Sequence, residues 1–423
     1  MPKISRHTFS SGLRLLAAPA DQKTVTVLVL VGAGSKYETK DEAGLSHFLE
    51  HMFFKGSKKR PSAKIVAEFM DQIGGEYNAF THKEFTGYYA KVAKQHAPKA
   101  FDFISDMLQN AKLPAIEIER EKGVIIEEMN MYQDTPMRYI GDLFEQLLYG
   151  NQPGGRLIIG SKKTVRSMIR KQFVDYKKDL YVAKNIVVGV AGGISENKSR
   201  ELVKIYFANK LPKEEPRVMP ETKDKQVAPQ IKLFYKKTDQ SHLSLGVRAF
   251  DMYDKKRYAL SILSALLGGY MSSRLFIAVR ERRGLAYYVR SSVEAYKDTG
   301  YLAITAGCDN SKAKEAIAII IQELKKIKKQ TVPAKELKKA KEHLKGQTMM
   351  SLEDTSESAV WIAVNELFRQ KVPSLNSFFK KIDAVTAADI KEVAQEIFTT
   401  DKLNLAMISP HQDTKSFLKL LAL

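Results

Sequence analysis

The chain repeats itself, and that repetition limits its fold more than any other feature. A strand-like run Val25–Val31 (VTVLVLV) leads through Gly32 and Gly34 into a predicted helix holding Leu45-Ser46-His47. In the second half, the alternating stretch Leu243–Val247 leads into a predicted helix holding Leu260-Ser261-Ile262. Gly87-Tyr88-Tyr89-Ala90 opens a strand followed by a helix from near Ala97; Gly300-Tyr301-Leu302-Ala303 opens one followed by a helix from near Ser311. Both pairs lie 213–215 residues apart, the fixed offset that an ancient duplication leaves. A length of 423 residues also exceeds one ordinary hydrophobic core. Residues around 210–230 (KLPKEEPRVMPETKDKQVAPQ) are polar, carry proline and lack a period, so they read as a linker. The expected domains are 1–210 and 231–423, joined by 211–230. Each half mixes helices with hairpin-like pieces such as Glu76–Thr81 against Thr86–Val92. That predicts an α+β fold of two homologous domains, each a mainly antiparallel sheet with packed helices.

The two copies differ where chemistry would be added. His47, Glu50 and His51 stand where the second copy has Ile262, Ala265 and Leu266. A requirement of the fold would be met in both copies, so the polar triplet points to function. His47-Phe48-Leu49-Glu50-His51 is H-x-x-E-H, the inverted form of the zinc-protease helix. Residues i and i+4 share a helix face, so both imidazoles can reach one ion, and Glu50 can reach a water beside it. Thr39 or Asp41 is the expected cap of this helix, and Leu45, Phe48, Leu49 and Met52 its apolar stripe. The bland reading is two histidines on a solvated face.

Catalytic zinc wants a third protein ligand and an open position. The predicted helix Ile116–Met131 (IEIEREKGVIIEEMNM) offers Glu121 and Glu128, two turns apart on one face, with Glu127 turned away by about 100°. One carboxylate of the pair can bind the ion while the other orients a ligating histidine. Spacing alone leaves open whether Glu128 is the ligand.

Composition removes several alternatives. One cysteine, Cys308, precludes an internal disulfide, and no run of about 18 apolar residues predicts a membrane span. Met1–Ala20 lacks a signal-peptide pattern, and the expected location is the cytoplasm. The net charge of +20 is densest at Lys325–Lys345, where nine lysines fall among Leu324, Ile327, Leu337 and Leu344 at helical spacing. That is the pattern of solvated helices, and no aromatic residues interleave for base stacking, so no nucleic-acid partner is expected. Gly155–Lys162 imitates a phosphate loop with its lysine one residue late. His82 is expected to be exposed, His242 to be a hydrogen-bonded strand residue, and Cys308 a small buried one.

Four segments then carry a family resemblance: Gly44–Gly56 (GLSHFLEHMFFKG), Gly74–Thr81 (GGEYNAFT), Glu119–Pro136 (EREKGVIIEEMNMYQDTP) and Ser272–Tyr287 (SSRLFIAVRERRGLAY). Over nearly its whole length the chain resembles the pitrilysin/insulysin zinc peptidases, in the branch of the mitochondrial processing peptidase and its bacterial relatives. The resemblance implies a zinc metalloendopeptidase with one Zn²⁺ per chain held by His47, His51 and Glu128. It also implies Glu50 as general base, Glu121 in support, and Asn78 and Ala79 on an edge strand that pairs an extended peptide. Arg280 and Tyr287, from the second domain, match the family's pair that reaches substrate and stabilises the oxyanion. A homodimer is implied, and a heterodimer with a related subunit is the alternative. The rival reading is a non-catalytic scaffold or one subunit of a heterodimeric processing peptidase.

Overall fold

The computed structural model describes residues 4–423; residues 1–3 of the N-terminal stretch lie outside it. Two compact units result. The first holds a six-stranded sheet in the order β1-β2-β6-β3-β5-β4, from β1 (Ser5–Thr8), β2 (Arg14–Pro19), β3 (Thr24–Val31), β4 (Glu76–Thr81), β5 (Thr86–Ala93) and β6 (Ile186–Gly192). Every neighbouring pair is antiparallel except β2 and β6. The second unit holds β7 (Gln230–Tyr235), β8 (Gln240–Ala249), β9 (Ala286–Ala295), β10 (Gly300–Asp309) and β11 (Asn404–Ser409) in the order β7-β11-β8-β10-β9. Here β7 and β11 are the parallel pair. Strand for strand, the second order repeats the first without β1, as a duplication requires.

β3 shows why the sheet wants cover on both faces. Val25, Val27, Val29 and Val31 point into a core shared with Leu45, Phe48 and Phe101. Leu28 and Leu30 point the other way, into a cluster with Leu16, Val187, Ala359, Ile362 and Ala363. Alternate residues thus feed separate clusters, and the strand reads as one unbroken apolar run.

That second cluster corrects the expected domain boundaries. Its helix, Thr355–Arg369, comes from the second half of the sequence yet belongs to the first unit, packed on β3 and β6. Conversely Pro136–Tyr149, from the first half, belongs to the second unit and packs on β8 and β11. The expected 1–210 and 231–423 therefore each give a helix away. The physical reason is the bare second face of each sheet, which a helix from the other repeat covers. Gly189 of β6 permits the close approach, since a Cβ there would lie 2.8 Å from the Ala359 carbonyl oxygen. The expected linker carries no helix or strand between 211 and 229.

Candidate functional site

The motif helix, Leu45–Phe53, is held on its apolar side: Leu45, Phe48, Leu49, Met52 and Phe53 are all fully buried. Phe48 packs edge-on against Phe173, ring centroids 4.8 Å apart. His47, Glu50 and His51 occupy the other side and are half-buried. Neither Thr39 nor Asp41 caps this helix. Glu38 does, accepting from the backbone N–H of Gly44 at 2.9 Å and of Ser46 at 2.7 Å. Gly44 precedes the helix at φ 99°, where a side chain would also drive into the Ile159 carbonyl, so glycine is required. Glu38 is buried, and that burial, opposed by its bonds to Ser46 and Gly44, pushes its carboxyl up to about 7.

The second helix, Ala115–Gln133, presents Glu121, Ile125, Glu128 and Met129 inward and leaves Glu127 exposed. His47 Nε2 lies 3.7 Å and His51 Nε2 3.5 Å from Glu128 Oε2. Among the described residues, His47, His51 and Glu128 form the one group whose donor atoms converge for a metal, all within 4.8 Å of one another. Tetrahedral zinc with bonds of about 2.0–2.1 Å places its ligand atoms roughly 3.3 Å apart, a spacing that the two His–Glu128 distances already approach. Glu121 accepts from His51 Nδ1 at 3.0 Å and holds Lys55 Nζ at 2.6 Å. This contact fixes the ring and leaves His51 Nε2 facing Glu128.

The electrostatics suit a cation. Burial, with His51 alongside, lowers His47 to about 3, so it is a neutral imidazole with a lone pair to give. Burial raises Glu128 despite the pull of His51. Burial likewise raises Glu50, against a hydrogen bond from the Thr81 hydroxyl at 2.5 Å. Burial opposes ionisation at Glu121 too, but bonds from His51 and Lys55 outweigh it and the net shift is downward. Three carboxylates thus stand beside two imidazoles, Lys55 pairs with Glu121, and His47, His51 and Glu128 make a donor set that fits zinc.

Other expected residues lie elsewhere. Asn78 and Ala79 sit on β4, an edge strand of the first sheet, paired with Tyr89 and Tyr88 on its inner side. The Asn78 side chain accepts from the Ala79 N–H at 2.9 Å. Arg280 and Tyr287 belong to the second unit. The guanidinium of Arg280 lies 4.8 Å from the centre of the Phe276 ring, and Tyr287 is 61% exposed at the start of β9. Ile262, Ala265 and Leu266 are buried core, as their apolar character implied. His242 is buried and bonds Tyr288, and Cys308 is fully buried. His82 is half-buried and stacked on Phe85 at 4.6 Å, contrary to the expected exposure, because the turn folds back onto that ring. Glu38, Lys55 and Thr81 were not singled out from the sequence. Lys55 sits four residues beyond His51, and that spacing was the one available signal.

A family model described as Insulinase (Peptidase family M16) matches residues 15–162. A second, described as Peptidase M16 inactive domain, matches residues 167–344. Uncharacterized zinc protease YmxG of Bacillus subtilis is 37% identical over 415 residues, covering 96% of this chain and 98% of the relative. An uncharacterized zinc protease of Mycobacterium tuberculosis is 34% identical, covering 97% of this chain and 94% of its own length. A protease from Helicobacter pylori of known crystal structure superposes with a TM-score of 0.91 at 25% identity, over 97% of this chain and 100% of that one. A peptidase M16 inactive domain from Pseudomonas fluorescens shares the fold at a TM-score of 0.87 and 18% identity, over 98% and 99%. Two matched segments in tandem, and relatives aligned over nearly their full length, make this chain a member of insulinase peptidase family M16.

Proposed function

We propose that the chain is a zinc metalloendopeptidase acting on peptides and unstructured polypeptides, with His47, His51 and Glu128 as the metal ligands. The observation that carries this reading is the convergence of those three donors beside a further carboxylate, Glu50, on the helix that holds both histidines. The naming of the relatives as zinc proteases supports it.

Zinc held there supplies Lewis acidity toward the scissile carbonyl and lowers the pKa of water toward neutrality. Glu50 accepts the proton of the attacking water and returns it to the leaving amine. Thr81 keeps one Glu50 oxygen engaged and so fixes the direction of the other. Glu121 holds His51 in the tautomer whose Nε2 lone pair is available. The open edge of β4 suits an extended substrate, which would pair at Asn78 and Ala79 once the Asn78 side chain releases the Ala79 N–H. Arg280 and Tyr287 are proposed substrate contacts on the strength of the family resemblance, and a homodimer is proposed on the same ground; a cytoplasmic location is proposed because a single cysteine, Cys308, suits a reducing compartment.

The test is cleavage of an unstructured peptide library by the wild type and by Glu50→Gln, with metal content measured for each. The expected outcome is turnover only in the wild type, with about one zinc per chain in both. Zinc in both and cleavage by neither would favour a scaffold or a subunit awaiting its partner. Absence of metal from both would sink the proposal.

A further inference from the structure

The second unit's sheet carries a polar hollow that the chemistry above does not use. Ser244 on β8 stands opposite Thr305 on β10, and Thr305 opposite Arg290 on β9. In the next row Gly246, Ala303 and Ser292 are aligned in the same way. Small side chains on these rows leave space against the start of the helix Pro136–Tyr149, and a cavity of about 760 Å³ results. That volume is in the range of ligand sites rather than packing defects.

Three features show what the cavity would hold. Ser244 lines it, is fully buried, and its hydroxyl has no hydrogen-bond partner. A buried hydroxyl left unpaired costs stability, and an acceptor entering the cavity would relieve that cost. Arg138 and Arg290 also line it, with side chains open to solvent; Arg290 Nε donates to the Thr305 hydroxyl at 3.2 Å, which orients the guanidinium fork. Against these two cations stands one lining carboxylate, Asp142, so the charge balance favours an anion. Met137, Ile140 and Phe144 complete the wall, and apolar surface beside guanidinium suits a peptide carboxylate better than a bare inorganic ion.

We propose that this cavity is a carboxylate-binding subsite for polypeptide, taking either a C-terminal carboxylate or an acidic side chain, with Arg138 and Arg290 as the cations and Ser244 as a hydrogen-bond donor. The substrate part of this inference rests on the peptidase reading.

The test measures binding, by fluorescence anisotropy, to zinc-loaded full-length Glu50→Gln, so that it does not depend on turnover. Three labelled peptides of one sequence are compared: free C-terminus with Gln, amidated C-terminus with Glu, and amidated C-terminus with Gln. At least one carboxylate peptide should bind roughly tenfold tighter than the uncharged one, and the pattern identifies the carboxylate's source. Adding Arg138→Gln with Arg290→Gln should close that gap to within about twofold. Ser244→Ala should narrow the gap while leaving the melting temperature unchanged or higher, because it removes an unpaired hydroxyl; a merely structural serine would lower it. Equal binding of all three peptides, or a gap that survives the double arginine change, would overturn the proposal. So would displacement of the acidic peptide by inorganic phosphate at the peptide's own concentration. Failure of the wild type to cleave any peptide would count against the peptidase reading and leave the binding comparison intact.

Discussion

The proposed general base must be aimed as well as tuned, and Thr81 is the side chain that bonds Glu50. Its hydroxyl holds one carboxylate oxygen, and burial raises the Glu50 pKa against that bond. Thr81→Val keeps the shape and removes the donor. The expected result is a fall in kcat of about tenfold, the value of one hydrogen bond to a charged group, with KM and zinc content held. A loss of zinc or a rise in KM alone would show that Thr81 serves the pocket's structure instead. The sequence made His47, Glu50 and His51 legible because all three lie within one helical turn of each other and their duplicates are apolar. Thr81 was unreadable, since its partner is 31 residues away and only the fold brings β4 to the motif helix.

The same contrast of local and non-local holds for whole elements. The helix Ala115–Gln133 and the hairpin of β4 and β5 were legible from period and spacing, and their observed limits differ from expectation by a residue or two. The cap was not legible. Helix starts are ordinarily marked by a short polar residue immediately before the first turn. Here that place is taken by Gly44, and Glu38 reaches it from six residues upstream. The burial of this cap has a consequence for stability. Its carboxyl is raised to about 7 by burial, against the bonds from Ser46 and Gly44. A folded-state value above the unfolded one, about 4.3 for Glu, means that the folded protein binds more protons between those two values. Glu38 therefore opposes folding increasingly as pH rises from about 4.3 toward 7, and the whole of that opposition is present above it. Glu294 of the second unit is raised to about 7 as well, so the wild-type profile alone cannot assign the effect. The discriminating quantity is the melting temperature of Glu38→Gln minus that of the wild type. It should rise between pH 5 and pH 7.5. A difference that stays flat over this window would show that Glu38 titrates normally.

At the scale of the whole molecule, the duplication was readable and the division into units was not. Periodicity reports which face of a strand is apolar, but it does not report which distant helix covers that face. Leu16, Leu28, Leu30 and Val187 lie under Thr355–Arg369, about 170 residues beyond the nearest of them in sequence. Burying each such side chain stabilises by roughly 1.5–3 kcal/mol, so this one cover is comparable with the 5–15 kcal/mol that holds a typical domain together. Cutting the chain at its linker should therefore leave neither part folded. Residues 1–230 alone should lack a cooperative thermal transition and should bind a hydrophobic dye. Residues 231–423, without Pro136–Tyr149 over β8 and β11, should behave likewise. Appending Thr348–Leu375 to 1–230 through a flexible tether should restore a sharp transition, because it supplies the missing helix. If 1–230 without the helix melts as sharply and as high as the full chain, the first sheet is stable with one face bare. The helix exchange would then contribute little to holding either unit together.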